Sequence, residues 1–200
     1  MSGKLLRNTL KLLAPVLAAL AFSSCSTTRD IHNQVVVSVR DQKLMLVHDG
    51  QPVKSYKVST SKFGVGDKPN SNCTPLGHME VAKKIGDSTP AGMVFKSRRP
   101  TGEVIKPNAP GRDPIVSRIL WLKGTDKCNK NAFGRCIYIH GTAEEYKLGT
   151  PASYGCIRMG SKDVIDLYAR LGEGADVHVI RDSLSELQPV KSFTSVASAR

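Results

Sequence analysis

A histidine and a cysteine sixteen residues apart carry most of the chemical information in this 200-residue chain. His140 stands in Ile139-His140-Gly141-Thr142, and Cys156 in Ser153-Tyr154-Gly155-Cys156-Ile157-Arg158-Met159. A free thiol is largely protonated at neutral pH; an imidazole beside it accepts the proton and stabilises the resulting charge. Gly155 lets a substrate approach the backbone next to the sulfur. Backbone N–H groups near the sulfur, at Tyr154, Gly155 and Cys156, together with Gly141, are candidate donors to a developing oxyanion. Arg158 shares the side-chain sense of Cys156 if the segment is extended, and two parallel N–H bonds from it would hold a carboxylate. Ser153 and Thr142 are candidate lining residues. Alone, Cys156 reads as a buried structural thiol and His140 as a hydrogen-bonded strand residue; only the grouping argues for chemistry.

Such groups need a rigid scaffold, and the pattern supplies strands. Residues 34–40, 43–48 and 53–59 are β-branched or alternate with period two, and Asp49-Gly50 is a hairpin-turn signal. They predict an antiparallel meander. Residues 62–73, with Gly64, Gly66 and Pro69, read as loop, and 77–85 and 93–96 as weaker strands. Residues 98–112, rich in Pro, Gly and charge, read as a long loop. Strands follow at 119–123 and 135–140, the latter ending on His140, then a loop over 141–154. Ser161 reads as an N-cap with Asp163 in the first turn. Val164, Ile165, Leu167, Tyr168 and Leu171 recur at helical period, and Gly172 and Gly174 end the helix. Residues 176–180 form a last strand. The expected class is mostly β (β-rich α+β), one domain over 34–181 with a single clear helix after the cysteine, followed by a polar Ser-rich tail, 182–200.

Lys and Arg number 29 against 17 acids, a net charge of +12. The excess calls for an anionic partner. The N-terminus narrows the choice. Lys4, Arg7 and Lys11 precede an apolar run over 12–22, about right for a signal segment and too short to span a bilayer. Ser23-Ser24-Cys25 resembles a lipoprotein signal, in which Cys25 is lipidated, anchors the protein to a membrane and becomes the first residue. Phe22 departs from the leucine usual three places before that cysteine. Removing 1–24 lowers the charge to +9 and leaves 25–33 as a tether. Export argues against nucleic acid and for an anionic envelope polymer.

The whole constellation resembles the L,D-transpeptidase catalytic domain (YkuD) family. His140-Gly141-Thr142, Ser153 to Met159, Asp163 and Asp166-Leu167-Tyr168 match its motif region. Gln42-Lys43-Leu44, Val58-Ser59-Thr60-Ser61 and Thr74-Pro75-Leu76-Gly77 match earlier landmarks in order, with 85–118 aligning only loosely. The resemblance implies a β-sandwich and peptidoglycan stem peptides as substrate. Cys156 would be the nucleophile, His140 the general base and acid, and Arg158, Ser153 and Thr142 substrate contacts. A thioester would pass to an amine of another stem, to an envelope protein or to water, with no cofactor and no metal. Tyr154 stands where the family usually has histidine, which puts the tuning of the thiol in doubt and admits a wall-binding module without catalysis.

Five cysteines need partners. Cys25 goes to lipid and Cys156 to catalysis; Cys128 and Cys136 enclose a short loop and are candidates for a disulfide, leaving Cys73. A zinc site from Cys128, Cys136, His140 and Cys156 has no recognised finger spacing. In a papain-like peptidase the cysteine precedes its histidine. The sole histidine downstream here is His178, mid-strand in Val177-His178-Val179.

Overall fold

A computed structural model describes residues 28–186. The signal-like segment 1–24, the lipidation cysteine Cys25 and residues 187–200 lie outside the described residues. Among the described residues there are ten strands and one α-helix. They are β1 (Asn33–Ser38), β2 (Lys43–His48), β3 (Gln51–Ser59), β4 (Gly77–Ile85), β5 (Met93–Lys96), β6 (Arg99–Val104), β7 (Ile115–Gly124), β8 (Tyr138–Thr142), β9 (Ile157–Met159), α1 (Ser161–Arg170) and β10 (Asp176–Ile180).

The β-rich reading holds, and so does the meander. β1 pairs antiparallel with β2, and β2 with β3. Asp49 and Gly50 both take positive φ, 46° and 77°, as a hairpin turn matching strand twist requires. Period two then sets the core: Val35 lies opposite Leu46 and Val177, and Val37 opposite Leu44 and Val179, all buried. The strands run β4-β10-β1-β2-β3-β9-β8-β7-β5-β6, and β4 also pairs with β7. That last pairing closes eight strands into a ring, from which the β5–β6 hairpin projects.

Helix α1 packs Val164, Leu167 and Tyr168, with Leu171 just beyond, into the main apolar core beside Ile139, Ile157 and Met159. Its N-cap is Gly160 rather than Ser161. Ser161 is the first helical residue, and its N–H donates to the carboxylate of Glu145 at 2.7 Å. A distant acid thus satisfies an orphan donor that a local side chain was expected to take. The helix ends at Arg170, with Leu171 as the C-cap, one residue before Gly172.

Three further expectations change. Residues 99–104 form strand β6 instead of loop; it is exposed throughout and carries Pro100, as an edge strand tolerates. β8 begins at Tyr138 and runs to Thr142, so His140 sits in the middle of a strand and not at its end. Finally, Arg29 and Asp30 of the proposed tether touch the domain: Arg29 Nε donates to the Gly174 carbonyl at 3.3 Å, and the Gly172 N–H donates to Asp30 at 2.7 Å. No described helix is long and apolar enough to cross a membrane.

Candidate active site

β8 lies between β7 and β9, antiparallel to the first and parallel to the second. Ile139 pairs with Ile157 and His140 with Arg158. Alternation therefore sends Ile139 and Ile157 into the main core and His140 and Arg158 to the other face. Cys156 sits on that second face as well, packing with Cys136 against the small apolar cluster of Phe95, Ile119 and Tyr138. The predicted nucleophile and base thus lie on the same face of the β7–β8–β9 part of the ring.

His140 is 6% exposed. Its Nδ1 lies 2.8 Å from the Gly141 carbonyl, which only accepts. Nδ1 therefore carries the proton and Nε2 keeps its lone pair. Burial pushes the imidazole below its usual pKa, against the Gly141 hydrogen bond and the Asp113 charge, so the ring is neutral at neutral pH. Gly141 itself is required by a close approach: a Cβ there would lie 2.5 Å from the Val116 carbonyl oxygen.

The Cys156 thiol donates weakly to the Cys136 carbonyl at 3.4 Å. Burial pushes it up to about 11, against an N–H from Tyr138 and the charges of Arg135 and Arg158. Burial thus favours the neutral form of both the Cys156 thiol and the His140 imidazole.

The segment before the sulfur is clamped. Ser153 Oγ donates to the Cys156 carbonyl at 2.6 Å and accepts the Gly155 N–H at 3.2 Å. Gly155 has φ of +118°, a conformation that favours glycine, and its carbonyl accepts from Thr74 Oγ1 at 3.0 Å. Thr60 contributes its carbonyl to the N–H groups of Ala152 and Ser153, each at 2.9 Å. Buried Gln42 bonds Thr60 through both ends of its amide. The three upstream landmarks therefore hold the nucleophile segment in place.

Several assigned roles are corrected. The Gly155 N–H is committed to Ser153 and is not a free oxyanion donor. Ser153, 1% exposed, clamps the loop instead of lining the substrate site. Thr142 is fully buried and donates its hydroxyl to Asp113. Tyr154 is 64% exposed and lies against Phe63, while Lys62 Nζ reaches its hydroxyl at 2.9 Å and lowers its pKa. Cys128 and Cys136 are both free. The Cys128 sulfur faces the Leu76 carbonyl and that of Cys136 faces Arg98, so no disulfide joins them. His178 stacks on His78 at 3.9 Å on the β4–β10 pair, apart from β8–β9.

Arg158 is only 5% exposed. Its Nη1 pairs with Asp113 and, at 3.3 Å, with Glu144. Nε and Nη2 are buried without a partner. Asp113 was not singled out in the sequence. It accepts from the Thr142 hydroxyl and from the N–H groups of Ala143 and Glu144, at 3.1 and 3.4 Å. Burial opposes its ionisation, but the Thr142 hydroxyl and the Arg158 charge outweigh it and hold the carboxyl below the usual range. The loop after β8 is equally anchored, since Glu144 binds Arg158 and Lys147 while Glu145 caps α1. No cluster of three or more metal-ligating side chains occurs among the described residues.

A ring of strands presenting His140, Cys156 and a buried Arg158 on one face defines a candidate cysteine acyl-transfer site. Residues 32–179 match the family model described as the L,D-transpeptidase catalytic domain (YkuD), and the chain belongs to that family. A relative from Bacillus subtilis (strain 168), named "Putative L,D-transpeptidase YqjB", is 28% identical over 153 residues, covering 76% of this chain and 73% of its own. Among solved structures, L,D-transpeptidase 3 from Mycobacterium tuberculosis is 16% identical with a TM-score of 0.48, covering 75% of this chain and 61% of its own. The L,D-transpeptidase (residues 123–326) from Xylanimonas cellulosilytica DSM 15894 is 19% identical, also at 0.48, covering 74% and 60%. The chain thus spans less than two thirds of those solved chains.

Proposed function

We propose that this protein is a cysteine-dependent L,D-transpeptidase acting on peptidoglycan stem peptides. The observation that supports it most is the His140 Nδ1–Gly141 carbonyl contact, which leaves Nε2 as an acceptor on the face that carries the Cys156 sulfur. Cys156 attacks the carbonyl of the third, diamino acid residue of a tetrapeptide stem as its proton passes to His140 Nε2. The imidazolium returns that proton to the leaving amine, D-alanine departs, and a thioester remains. An acceptor amine then attacks the thioester, losing its proton through His140, and the thiol is restored. An amine from another stem gives a 3→3 crosslink; one from an envelope protein attaches that protein; water gives hydrolysis.

Arg158 supplies the positive end of the site. Two buried N–H groups without a partner cost roughly 1–3 kcal/mol each. Nε and Nη2 form the side-on edge of the guanidinium, the geometry that receives a carboxylate in two parallel bonds. Asp113 and Glu144 occupy only Nη1. A carboxylate of the stem is the ligand that this edge suits, and the +12 charge of the chain fits a carboxylate-bearing polymer. The exported, Cys25-lipidated form belongs to the same reading. It places the domain on a membrane facing the periplasm.

Incubating the protein with tetrapeptide muropeptides and resolving products by mass tests the reading. Release of D-alanine with an acyl adduct on Cys156 is expected, and Cys156→Ala removes both. A folded wild-type protein that gives neither overturns it. The raised Cys156 thiol and exposed Tyr154 favour a second reading, a wall-binding module with weak catalysis. That reading predicts retention on peptidoglycan without an adduct.

A further inference from the structure

Cys136 is a thiol that the proposed reaction does not use. The chain turns sharply there, with φ of +58°, immediately before Ile137 leads into β8. Its carbonyl lies 3.4 Å from the Cys156 sulfur. The contact sets the Cys136 backbone against the Cys156 thiol. Both pack on the same apolar cluster with Phe95, Ile119 and Tyr138, both are free, and both are partly accessible. Arg98 Nη1 is 3.7 Å from the Cys136 sulfur and 3.3 Å from the Tyr138 hydroxyl. A thiolate is the form of a cysteine that attacks an oxidised partner. Of the other two described cysteines, Cys73 has its carbonyl beside Gly155 but turns its sulfur to the Phe63 carbonyl at 3.2 Å, and the sulfur of Cys128 faces the Leu76 carbonyl at 3.7 Å.

We propose that Cys136 is a resolving thiol, which captures Cys156 in a reversible disulfide when a peroxide oxidises the site. One thiolate of the pair attacks the peroxide, the O–O bond breaks, hydroxide leaves and a sulfenic acid forms. The second thiolate attacks that sulfur, the S–O bond breaks, hydroxide leaves again and the S–S bond forms. Two thiols and one hydrogen peroxide become one disulfide and two waters. A dithiol reductant reverses the change. The closed state removes the nucleophile, and it stops oxidation short of the irreversible sulfinic acid.

The inference rests on Cys156 being the reactive thiol of the proposed function, but its test reads sulfur chemistry and not transpeptidation. The full chain is treated with hydrogen peroxide, alkylated, and mapped by mass before and after dithiothreitol. The expected result is a Cys136–Cys156 cross-linked peptide, with loss of Cys156 alkylation that dithiothreitol restores. In Cys136→Ser, and equally in Cys136→Ala, Cys156 proceeds to sulfinic acid and dithiothreitol does not restore it. A Cys73→Ser/Cys128→Ser chain still forms the bond. Wild-type protein that over-oxidises at Cys156 with Cys136 free, or that joins Cys136 to Cys73 or Cys128, overturns the proposal. A protein that forms the disulfide yet never releases D-alanine overturns the transpeptidase reading alone.

Discussion

Ser153 and Cys156 are tied by a 2.6 Å hydrogen bond from the serine hydroxyl to the cysteine carbonyl, and the same oxygen accepts the N–H of Gly155. One buried hydroxyl thus fixes the loop that carries the sulfur. Ser153→Ala removes a donor and an acceptor and is expected to cost about 1–3 kcal/mol. Thermal denaturation reads that loss. Acylation should fall more than stability, because the sulfur is no longer held in position; an unchanged acylation rate contradicts the clamp.

With His140 as the base of the proposed reaction, its depressed pKa sets the acid limit. The base works only when neutral, and burial keeps it neutral to lower pH than a free imidazole. The acylation rate is expected to rise with pH through a midpoint below 6.5 and then level off. Stability follows with the same sign: the unfolded chain takes up a proton at a higher pH than the folded one. Stability is therefore full above 6.5 and declines as pH falls from there towards the folded pKa. His140→Gln should remove this contribution to the stability slope along with the activity. A midpoint above 7 for acylation counts against the assignment.

Cys156 is expected to be a slow thiol in the resting protein. With its pKa pushed up to about 11, alkylation by iodoacetamide should keep rising with pH past the point where an ordinary thiol, near about 8.5, has levelled off. Mapping each cysteine separately distinguishes it from the half-exposed Cys73 and the exposed Cys128. A thiolate already formed at pH 7 would show a flat profile and would mean that the site holds an ion pair at rest.

The Asp113–Arg158 pair offers a stability test with an internal control. Asp113→Ala leaves a buried guanidinium with Glu144 as its sole acid and should cost about 3–5 kcal/mol. Replacing both, as Asp113→Ala/Arg158→Met, should recover part of that loss, because the uncompensated charge is gone. The depressed Asp113 pKa adds a pH signature. Its stabilisation is complete above the ordinary aspartate range and is lost as pH falls through the folded value. Urea titrations of the three proteins at pH 7 and pH 3 measure both effects.

The strands were legible where alternation and turn chemistry agree. Residues 34–59 show both, and β1 to β3 follow. β6 was not legible: Arg99, Pro100, Gly102 and Glu103 resemble loop because a solvated edge strand asks little of its side chains. His140 and Cys156 stood out through their neighbours, but the partners of those neighbours did not. Whether Ser153, Thr142 and Gly155 face a substrate or one another depends on the contacts of Thr74 with Gly155 and of Asp113 with Thr142, 81 and 29 residues apart in sequence, and on Thr60, which Gln42 holds against Ser153. Asp113 carried no local signal at all. It sits at the end of a polar stretch, and only the meeting of β7, β8 and β9 shows what it holds.

The pairing of β8 on both sides has a consequence for how this chain tolerates change. Odd and even positions of that strand face opposite environments, so a displacement by a single residue would exchange His140 with Ile139. It would drive an imidazole into the apolar interior and turn an isoleucine towards the sulfur. Length changes in the connection before Tyr138 are a matter for that connection; inside the strand they are a matter of parity. The reactive face is therefore kept by counting as much as by contact.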